Sequence, residues 1–352
     1  MTTWDWTDES RARLAAFLGE RDLVGGAVTT RAIGDGHSNL TYLVTGEDGR
    51  RVVVRRPPPP PTPPGANDMM REARLVGALA GSAVPVASVL ATAEAGEVID
   101  VHFYVMSFAA GPVVTTRTPP PLDTPAVRRA IGESMVDTLA ELHRVDWRAA
   151  GLADMGRPEG FNGRHLARMA RLVADENGNA PAHFAPIEEW LGASVPPESG
   201  ASIVHNDYRL GNVVLSQEQP GSIVAVLDWE LATLGDPLFD LGYFLSSVPE
   251  VGRVRTPTED LGAAMLEEGY PTRAELAERY AARTGADLSN LSWYVALAQW
   301  KLAVLYEYSR RRVTRGIGDP YYADPSLVQR FLDAAHEAAG LGPAPRPATV
   351  EA

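Results

Sequence analysis

The chain has no cysteine among its 352 residues. This absence excludes disulfide bonds, cysteine-ligated zinc sites and catalysis by a thiol, and it is compatible with a reducing compartment. The sequence also has no uninterrupted apolar run of about 18 residues, the length that a membrane-spanning helix needs. Residues 1–20 lack the basic-then-apolar pattern of a secretory signal. Together these absences predict a soluble, cytoplasmic protein.

Positive charge is in short supply as well, because 45 acidic residues outnumber 32 lysine and arginine residues and give a formal net charge of -13. We therefore expect neither nucleic acid nor an anionic membrane as a partner. The acidic balance is compatible with a cationic substrate, although most acidic proteins are simply soluble. The hydrophobic content of 45% is enough for a substantial core. At this length the chain forms two or three domain-sized units or one large bilobal enzyme.

The most informative stretch begins with a polar loop, HNDYRLGN, in which Asp207 precedes Asn212 by five residues. The apolar run IVAVL at residues 223–227 then predicts a buried strand that delivers Asp228. Asp207 is suited to accept the proton of an incoming hydroxyl group, while Asn212 and Asp228 offer the hard oxygen atoms that Mg²⁺ prefers. This pattern indicates transfer of a phosphoryl group from a magnesium-bound nucleotide.

The order and spacing of these residues resemble the catalytic and metal motifs of the protein-kinase-like superfamily. In detail, VHNDYRLGNVVL and VLDWELATLGDPLFDLGYF are similar to the aminoglycoside phosphotransferase and choline kinase branch. They are most similar to the phosphotransferases related to kinase domains fused to acyl-CoA dehydrogenases. The resemblance covers residues 25–340 and implies an ATP-dependent kinase acting on a small-molecule hydroxyl group. It also implies Mg²⁺ as the cofactor and ATP, or GTP, as the co-substrate.

The resemblance also implies roles for individual residues around the motif. Asp207 is the expected catalytic base, and Arg209 lies where protein kinases place a lysine near the transferred phosphate, although a loop-bracing or surface role is equally open. Glu230 is expected to reach a second Mg²⁺ directly or through water. His205 is expected to pack and hydrogen-bond the loop rather than transfer protons. Asp240 resembles the helix acid that braces the catalytic-loop backbone, with compensation of the helix dipole as the alternative.

The N-terminal part predicts a helix, then an antiparallel sheet with a second helix between its third and fourth strands. The helices are predicted at residues 8–19 and 69–79, and the five strands at residues 27–33, 40–45, 51–55, 86–93 and 98–106. Between the first two strands, Gly36 and Ser38 lie in a glycine-rich turn that is expected to approach the nucleotide phosphates. A plain hairpin is the alternative, because the turn lacks the G-x-G-x-x-G spacing of protein kinases.

Arg55 ends the third strand where protein kinases hold a lysine that grips the α and β phosphates. Its guanidinium can bind phosphate through two parallel hydrogen bonds. Strand alternation points Arg55 inward and the competing Arg56 outward. The expected partner is Glu72 on the following helix, with an exposed helix charge as the alternative. The proline run at residues 57–64 cannot join a sheet and predicts an extended connection.

These assignments combine into an α+β, two-lobed, protein-kinase-like fold with a nucleotide bound between the lobes. Residues 1–108 form the expected N-lobe, and residues 109–112 form a hinge at which Met106 and Phe108 border the adenine. Residues 113–340 form the expected helical C-lobe, and residues 341–352 a disordered tail. The C-lobe helices are predicted at residues 124–144, 159–174, 187–191, 260–268, 273–284, 288–312 and 325–339.

Two other functional classes stay open beside a small-molecule kinase. A protein kinase is disfavoured by the DWE triplet at residues 228–230 in place of Asp-Phe-Gly and by the lack of an Ala-Pro-Glu signature. A pseudokinase used as a binding module is disfavoured by the full set of base and metal residues, although arginine in the lysine position favours it. The sequence leaves the acceptor open between an aminoglycoside, an amino alcohol and a hydroxyacyl-CoA, and it leaves the oligomeric state open.

Overall fold

The computed structural model describes residues 6–34, 39–58 and 67–346. The chain divides into two compact units. The N-terminal unit comprises residues 1–111, 150–152 and 224–231, and the C-terminal unit comprises residues 112–149, 153–223 and 232–352. The predicted lobe and hinge boundaries stay predictions. Of the predicted tail, residues 341–346 form no helix or strand and residues 347–352 lie outside the described residues.

The N-terminal unit contains the predicted five-stranded antiparallel sheet, with the strand order β1-β2-β3-β5-β4. Its strands are β1 (Val28–Ala32), β2 (Leu40–Gly46), β3 (Arg51–Arg56), β4 (Val89–Ala93) and β5 (Phe103–Ser107). The last two strands are shorter than predicted. Turns fill the segment before Phe103, where the amide of Gly96, at φ 91°, donates to the carbonyl oxygen of Ile99.

Two helices accompany this sheet, and their ends match the prediction. In α1 (Asp8–Gly19) the hydroxyl of Thr7 caps the first turn, and in α2 (Met69–Leu79) the carboxylate of Asp68 does so. The apolar side of α1 belongs to the same buried cluster as the residues on one face of the sheet, including Phe17 and Phe103, whose rings meet edge to face.

The C-terminal unit is mainly helical, which together with the sheet confirms the predicted α+β class. Its helices are α3 (Pro125–Arg144), α4 (Phe161–Val173), α5 (Ala185–Ala193), α6 (Pro237–Ser246), α7 (Pro257–Asp260), α8 (Arg273–Thr284), α9 (Leu291–Val313) and α10 (Pro325–Ala338). The short strands β6 (Ser202–Val204) and β9 (Thr233–Gly235) pair antiparallel. The short strand β7 (Val213–Leu215) also belongs to this unit, whereas residues 224–226 of β8 (Ile223–Val226) belong to the N-terminal unit. Helix α9 packs against α4, α6 and α10 and places Trp300 in the core.

The helix predicted at residues 260–268 is wrong. A capping box between Thr256 and Glu259 starts α7 at Pro257, upstream of the predicted start. The helix stops before Gly262, where a Cβ atom would lie 2.6 Å from the carbonyl oxygen of Ser247. A short 3₁₀ segment, Ala263–Leu266, follows. Within the described ranges, no helix combines the length and the apolar character required to cross a membrane.

Candidate active site

In the N-terminal unit, Arg55 forms the centre of a buried charge cluster. Strand β3 leaves only 9% of this residue exposed, and its Nε atom lies 2.9 Å from Oε1 of Glu72. The same guanidinium forms an ion pair with Asp228 and lies 3.7 Å from Glu230, while Thr41 on β2 accepts a hydrogen bond of 3.1 Å. The structure therefore contains the predicted ion pair of Arg55 with Glu72 and brings both residues to Asp228 and Glu230.

The neighbouring Arg56 lies on the other face of the sheet, as strand alternation predicts. Its guanidinium is half-buried against aromatic rings, 5.3 Å from the ring centroid of Tyr42 and 5.5 Å from that of Trp6. This contact with the aromatic core explains why Arg56 is only partly exposed.

Burial and charge act in opposite directions within this cluster. Burial raises the pKa of Glu72, which is 2% exposed, and the Arg55 guanidinium opposes that shift. Burial by itself would lower the pKa of Arg55, but the carboxylates of Glu72 and Asp228 bring it above its usual range. Arg55 therefore stays charged. The hydroxyl of Tyr104 donates to Glu72 over 3.1 Å and helps to hold the carboxylate in place.

Asp228 follows β8 in a left-handed backbone conformation, with φ at 65°. A non-glycine residue adopts this conformation at a cost of about 1–3 kcal/mol, and such strain is found mainly at functional sites. The next residue, Trp229, is buried and donates from its indole nitrogen to the carbonyl oxygen of Val226 over 3.0 Å, which closes the turn. Asn39 donates to Glu230 over 2.7 Å, a contact that the sequence analysis did not anticipate.

In the C-terminal unit, protein hydrogen bonds orient both oxygen atoms of the Asp207 carboxylate. The hydroxyl of Tyr243 donates to Oδ1 over 2.7 Å, and the side-chain amide of Asn212 donates to Oδ2 over 2.8 Å. The Nε atom of Arg209 lies 3.6 Å from Oδ1. The side chain of Asp207 is nevertheless 21% exposed, so this oriented carboxylate is accessible to a ligand.

The backbone of this loop is held by Asp240, which is completely buried near the start of α6. Its carboxylate accepts from the backbone amide of His205 and, over 2.7 Å, from that of Asn206. The predicted bracing by Asp240 is therefore present. His205 accepts a 3.2 Å hydrogen bond from the backbone amide of Asp207, in keeping with its predicted role in the loop. His143 lies 3.4 Å from Asp240.

Sequence reasoning missed two side chains at this loop, Tyr243 and Lys301. Lys301 is the only lysine of the chain, a signal visible in the sequence. It lies on α9, and its ammonium group donates to the carbonyl oxygen of Asn206 over 2.9 Å. Tyr243 lies one turn after Asp240 on α6, so helical spacing places both on one face.

The nucleotide-binding roles of Met106, Phe108, Gly36 and Ser38 stay predictions. Met106 is half-buried on β5 and packs with Met69, Ala73 and Tyr104. The ring of Phe108 lies 4.4 Å from the guanidinium carbon of Arg51. Gly36 and Ser38 lie outside the described residues, as do residues 59–64 of the proline run.

The predicted Mg²⁺ ligands offer suitable oxygen atoms. Asn212 uses its amide nitrogen to donate to both the backbone and the side chain of Asp207, which leaves its amide oxygen outside these bonds. Arg55 pairs with one carboxylate oxygen of Asp228 and leaves the second oxygen outside that ion pair. Within the described part of the chain, no three histidine or acidic side chains converge on a metal site. Each of these side chains by itself offers an amide or carboxylate oxygen, a hard donor of the kind that Mg²⁺ takes.

Comparison with known proteins gives a family match over most of the chain. The model of the phosphotransferase enzyme family matches residues 29–294. Acyl-CoA dehydrogenase family member 10 of Mus musculus is 30% identical over 285 residues, which make up 80% of this chain and 26% of the mouse protein. The chain spans only 26% to 39% of the length of the curated relatives that it matches.

Two solved structures are similar over nearly the whole chain. The first is a crystal structure from Ralstonia eutropha JMP134 that carries the provisional name of an aminoglycoside phosphotransferase. It has a TM-score of 0.77 and 29% identity, and the match covers 94% of this chain and 98% of that one. The second is a thermostable mutant of aminoglycoside phosphotransferase APH(4)-Ia in a ternary complex with AMP-PNP and hygromycin B. It has a TM-score of 0.60 and 18% identity, covers 94% and 99% of the two chains, and supports the fold alone.

Proposed function

The chain belongs to the phosphotransferase enzyme family, and from this premise we propose that it is a kinase that transfers the γ-phosphoryl group of ATP, or GTP, to a hydroxyl group of a small molecule. The observation that carries the proposal is the Asp207 carboxylate, which is partly exposed and receives hydrogen bonds from Tyr243 and Asn212. A general base must be held in one orientation and still be accessible to the substrate, and this carboxylate meets both conditions.

Asp207 acts in this proposal on the substrate hydroxyl. Its carboxylate orients the hydroxyl group and accepts the proton as the oxygen attacks the γ-phosphorus atom, while the bond to the β-phosphate oxygen breaks and ADP, or GDP, leaves. Tyr243 and Asn212 keep the carboxylate in place, so that little reorganisation is needed during the reaction. Arg209, whose Nε atom lies 3.6 Å from Asp207, is proposed to stabilise negative charge on the transferred phosphoryl group.

The charge cluster of the N-terminal unit is proposed to hold the nucleotide. Arg55 would bind phosphate oxygens through its guanidinium fork, while Glu72 holds the fork in position. Gly36, Ser38, Met106 and Phe108 remain proposed nucleotide contacts.

Asn212, Asp228 and Glu230 are the proposed ligands of Mg²⁺. These residues would hold an ion whose positive charge would offset the negative charge that develops on the phosphates. Asn212 would bind through its amide oxygen, because its amide nitrogen already donates hydrogen bonds to Asp207.

The acceptor is proposed as a hydroxylated small molecule of one of three classes. The Ralstonia eutropha structure, at 29% identity, bears the name of an aminoglycoside phosphotransferase, which supports an aminoglycoside as the acceptor. The relatives named as acyl-CoA dehydrogenases support a hydroxyacyl-CoA, and the acidic net charge of the chain is compatible with an amino alcohol. A soluble, cytoplasmic location stays a prediction from the sequence.

The test is nucleotide consumption in the presence of Mg²⁺ across a panel of aminoglycosides, choline-like amino alcohols and hydroxyacyl-CoAs. We expect one class to stimulate turnover of ATP or GTP. We also expect Asp207→Ala to lower kcat about 10²-fold or more while nucleotide binding is retained. The exposed acid Glu176 serves as a matched control, and Glu176→Ala should turn over like the wild type. Equal turnover by Asp207→Ala would refute the base assignment, and absence of nucleotide binding would favour a pseudokinase that has lost its ligand.

A further inference from the structure

Lys301 is the only lysine in the sequence, and the other 31 of the 32 lysine and arginine residues are arginines. It lies in the middle of α9 and is 4% exposed. An ammonium group loses strong hydration when it is buried, so a lysine in such a position needs compensating contacts. A methionine or leucine would fill an apolar slot in a helix without that cost. The position of this charge therefore calls for a reason beyond packing.

The contacts of Lys301 converge on the loop that carries Asp207. Its Nζ atom donates to the carbonyl oxygen of Asn206 over 2.9 Å. It also lies 4.8 Å from the ring centroid of Tyr243 and 5.2 Å from that of Phe239. These distances are within the range of cation–π attraction.

Asn206 is the residue immediately before Asp207, and its backbone is held on both sides. Its amide donates to Asp240 over 2.7 Å, and its carbonyl oxygen accepts from Lys301. It adopts a left-handed conformation with φ at 66°, which is unfavourable for a non-glycine residue. Asparagine tolerates this conformation better than most residues. The hydrogen bonds to Asp240 and Lys301 hold the peptide groups on either side of Asn206, at the residue that precedes Asp207.

Tyr243 connects the same ammonium group to the Asp207 carboxylate. Lys301 faces the ring of Tyr243, and the hydroxyl of that tyrosine donates to Oδ1 of Asp207. A cation over an aromatic ring draws electron density toward itself and so strengthens the phenol as a hydrogen-bond donor. Lys301 is therefore linked to Asp207 by two sets of contacts, one through the backbone of Asn206 and one through Tyr243.

We propose that Lys301 is a positioning residue for phosphoryl transfer, which holds the Asp207 carboxylate in its reactive orientation through Asn206 and Tyr243. The inference rests on the proposed function, since it assigns Lys301 a task in that reaction. Lysine suits the position because its compact ammonium group places a point charge between a carbonyl oxygen and a ring face. The larger guanidinium fork of an arginine carries five N–H donors in a fixed plane and would not reproduce this contact.

The kinetic test uses Lys301→Met, Lys301→Arg and Tyr243→Phe, each checked for folding by circular dichroism. We expect Lys301→Met to lower kcat by roughly 10- to 100-fold with little change in the KM for nucleotide, because misplacement of a reacting group acts on the chemical step. Lys301→Arg should recover only part of this loss. Because Lys301 acts partly through Tyr243, the double variant Lys301→Met with Tyr243→Phe should lose less than the product of the two single losses. A folded Lys301→Met variant with wild-type kcat would overturn the proposal, and so would independent, multiplicative effects.

A second measurement does not depend on activity or on the folding of the Lys301 variants. Selective ¹³C labelling of lysine gives a single side-chain signal, because the chain has one lysine. Burial lowers the pKa of Lys301 to about 8, while the carboxylates of Asp207 and Asp240 raise it and Arg168 lowers it. His165, on the same helix as Arg168, is buried and its pKa is lowered as well.

We expect Asp207→Asn to lower the pKa that this signal reports, whereas Asp287→Asn, in an exposed turn, should leave it unchanged. An unchanged pKa in Asp207→Asn would overturn the coupling between Lys301 and Asp207. Coupling without any kinase activity in the wild type would instead refute the proposed function while leaving the contact in place. The two failures are therefore distinguishable.

Discussion

At the scale of single residues, the candidate site contains buried charges, and each of them has an oppositely charged or hydrogen-bonding partner. Glu72 is 2% exposed and meets Arg55 at 2.9 Å and Tyr104 at 3.1 Å. A buried ion pair of this kind adds little net stability, because the desolvation of both partners offsets their attraction. Removal of Glu72 is a different matter, since Arg55 then loses its most buried carboxylate partner and keeps only the more exposed Asp228 and Glu230.

The substitution Glu72→Gln tests this argument. We expect it to lower the free energy of unfolding by about 1–3 kcal/mol, because the buried, charged Arg55 loses one of its carboxylate partners. We also expect weaker nucleotide binding, because the guanidinium fork is no longer held. Urea denaturation followed by circular dichroism measures the first effect, and a nucleotide titration measures the second. Glu47→Gln, at an exposed position, is the control; equal stability of the two variants would contradict the buried pair.

The lowered pKa of Lys301 leads us to expect that the free energy of unfolding rises with pH. Its pKa is about 8 in the folded chain, below its usual value of 10.5. Between these two values the unfolded chain binds more protons than the folded chain, so stability rises with pH. Below pH 8 the full cost of burying the charge is present, and above 10.5 it is relieved.

We therefore expect the stability of the wild type relative to Lys301→Met to increase from pH 7.5 to pH 9.5, toward a full difference of about 3 kcal/mol at still higher pH. Denaturation at the two pH values measures this difference, and the comparison cancels groups that titrate alike in both proteins. A relative stability that stays constant or falls over this interval would mean that Lys301 does not carry a lowered pKa.

At the scale of elements, the sequence predicts helix bounds best where a capping residue next to the helix determines them. The bounds of the helices at residues 8–19, 69–79 and 273–284 match the prediction, and in each case the residue before the first turn caps it. The helix predicted at residues 260–268 is wrong because its capping box lies upstream and Gly262 approaches another part of the chain.

The side-chain contacts of the site are harder to predict from the sequence than the bounds of the helices. The pairing of Arg55 with Glu72 could be predicted, because strand alternation and helix position place both residues with the help of the family resemblance. Asn39 and Glu230 are 191 residues apart in the chain, and Lys301 and Asn206 are 95 apart. No local pattern specifies such contacts, since they arise only when the elements have packed.

The contact of α6 with α9 gives an element-scale prediction. A Cβ atom at Gly242 would lie 2.8 Å from the backbone of Tyr294, so Gly242→Ala forces the two helices apart. We expect it to destabilise the chain by about 1–3 kcal/mol and to lower kcat, because α6 also carries Tyr243 and Asp240. Thermal and urea unfolding measure the stability change.

The matched control is Gly163→Ala in α4, where no atom of the described residues outside the backbone of α4 lies within 4 Å of the added methyl group. Alanine favours a helix over glycine, so this variant should be neutral or more stable by up to about 1 kcal/mol. Similar losses in both variants would show that helix packing at Gly242 is not the cause.

At the scale of the whole molecule, the two clusters of proposed site residues lie in different units. The Arg55 cluster belongs to the N-terminal unit and the Asp207 loop to the C-terminal unit. The family model extends over residues of both units. We therefore expect nucleotide binding and phosphoryl transfer to be separable by single substitutions at Asp228 and at Asp207.

The test of this separation is the stabilisation of the folded chain by a magnesium complex of AMP-PNP. A ligand that binds only the folded state stabilises it by about 2.7 kcal/mol at a concentration one hundred times its Kd, which raises Tm by several degrees. We expect the wild type and Asp207→Asn to show this rise, because Asp207 is assigned to the acceptor hydroxyl. Asp228→Asn should lose most of it, because Asp228 is a proposed ligand of the ion. If Asp207→Asn lost the stabilisation while Asp228→Asn kept it, the roles assigned to the two acids would have to be exchanged.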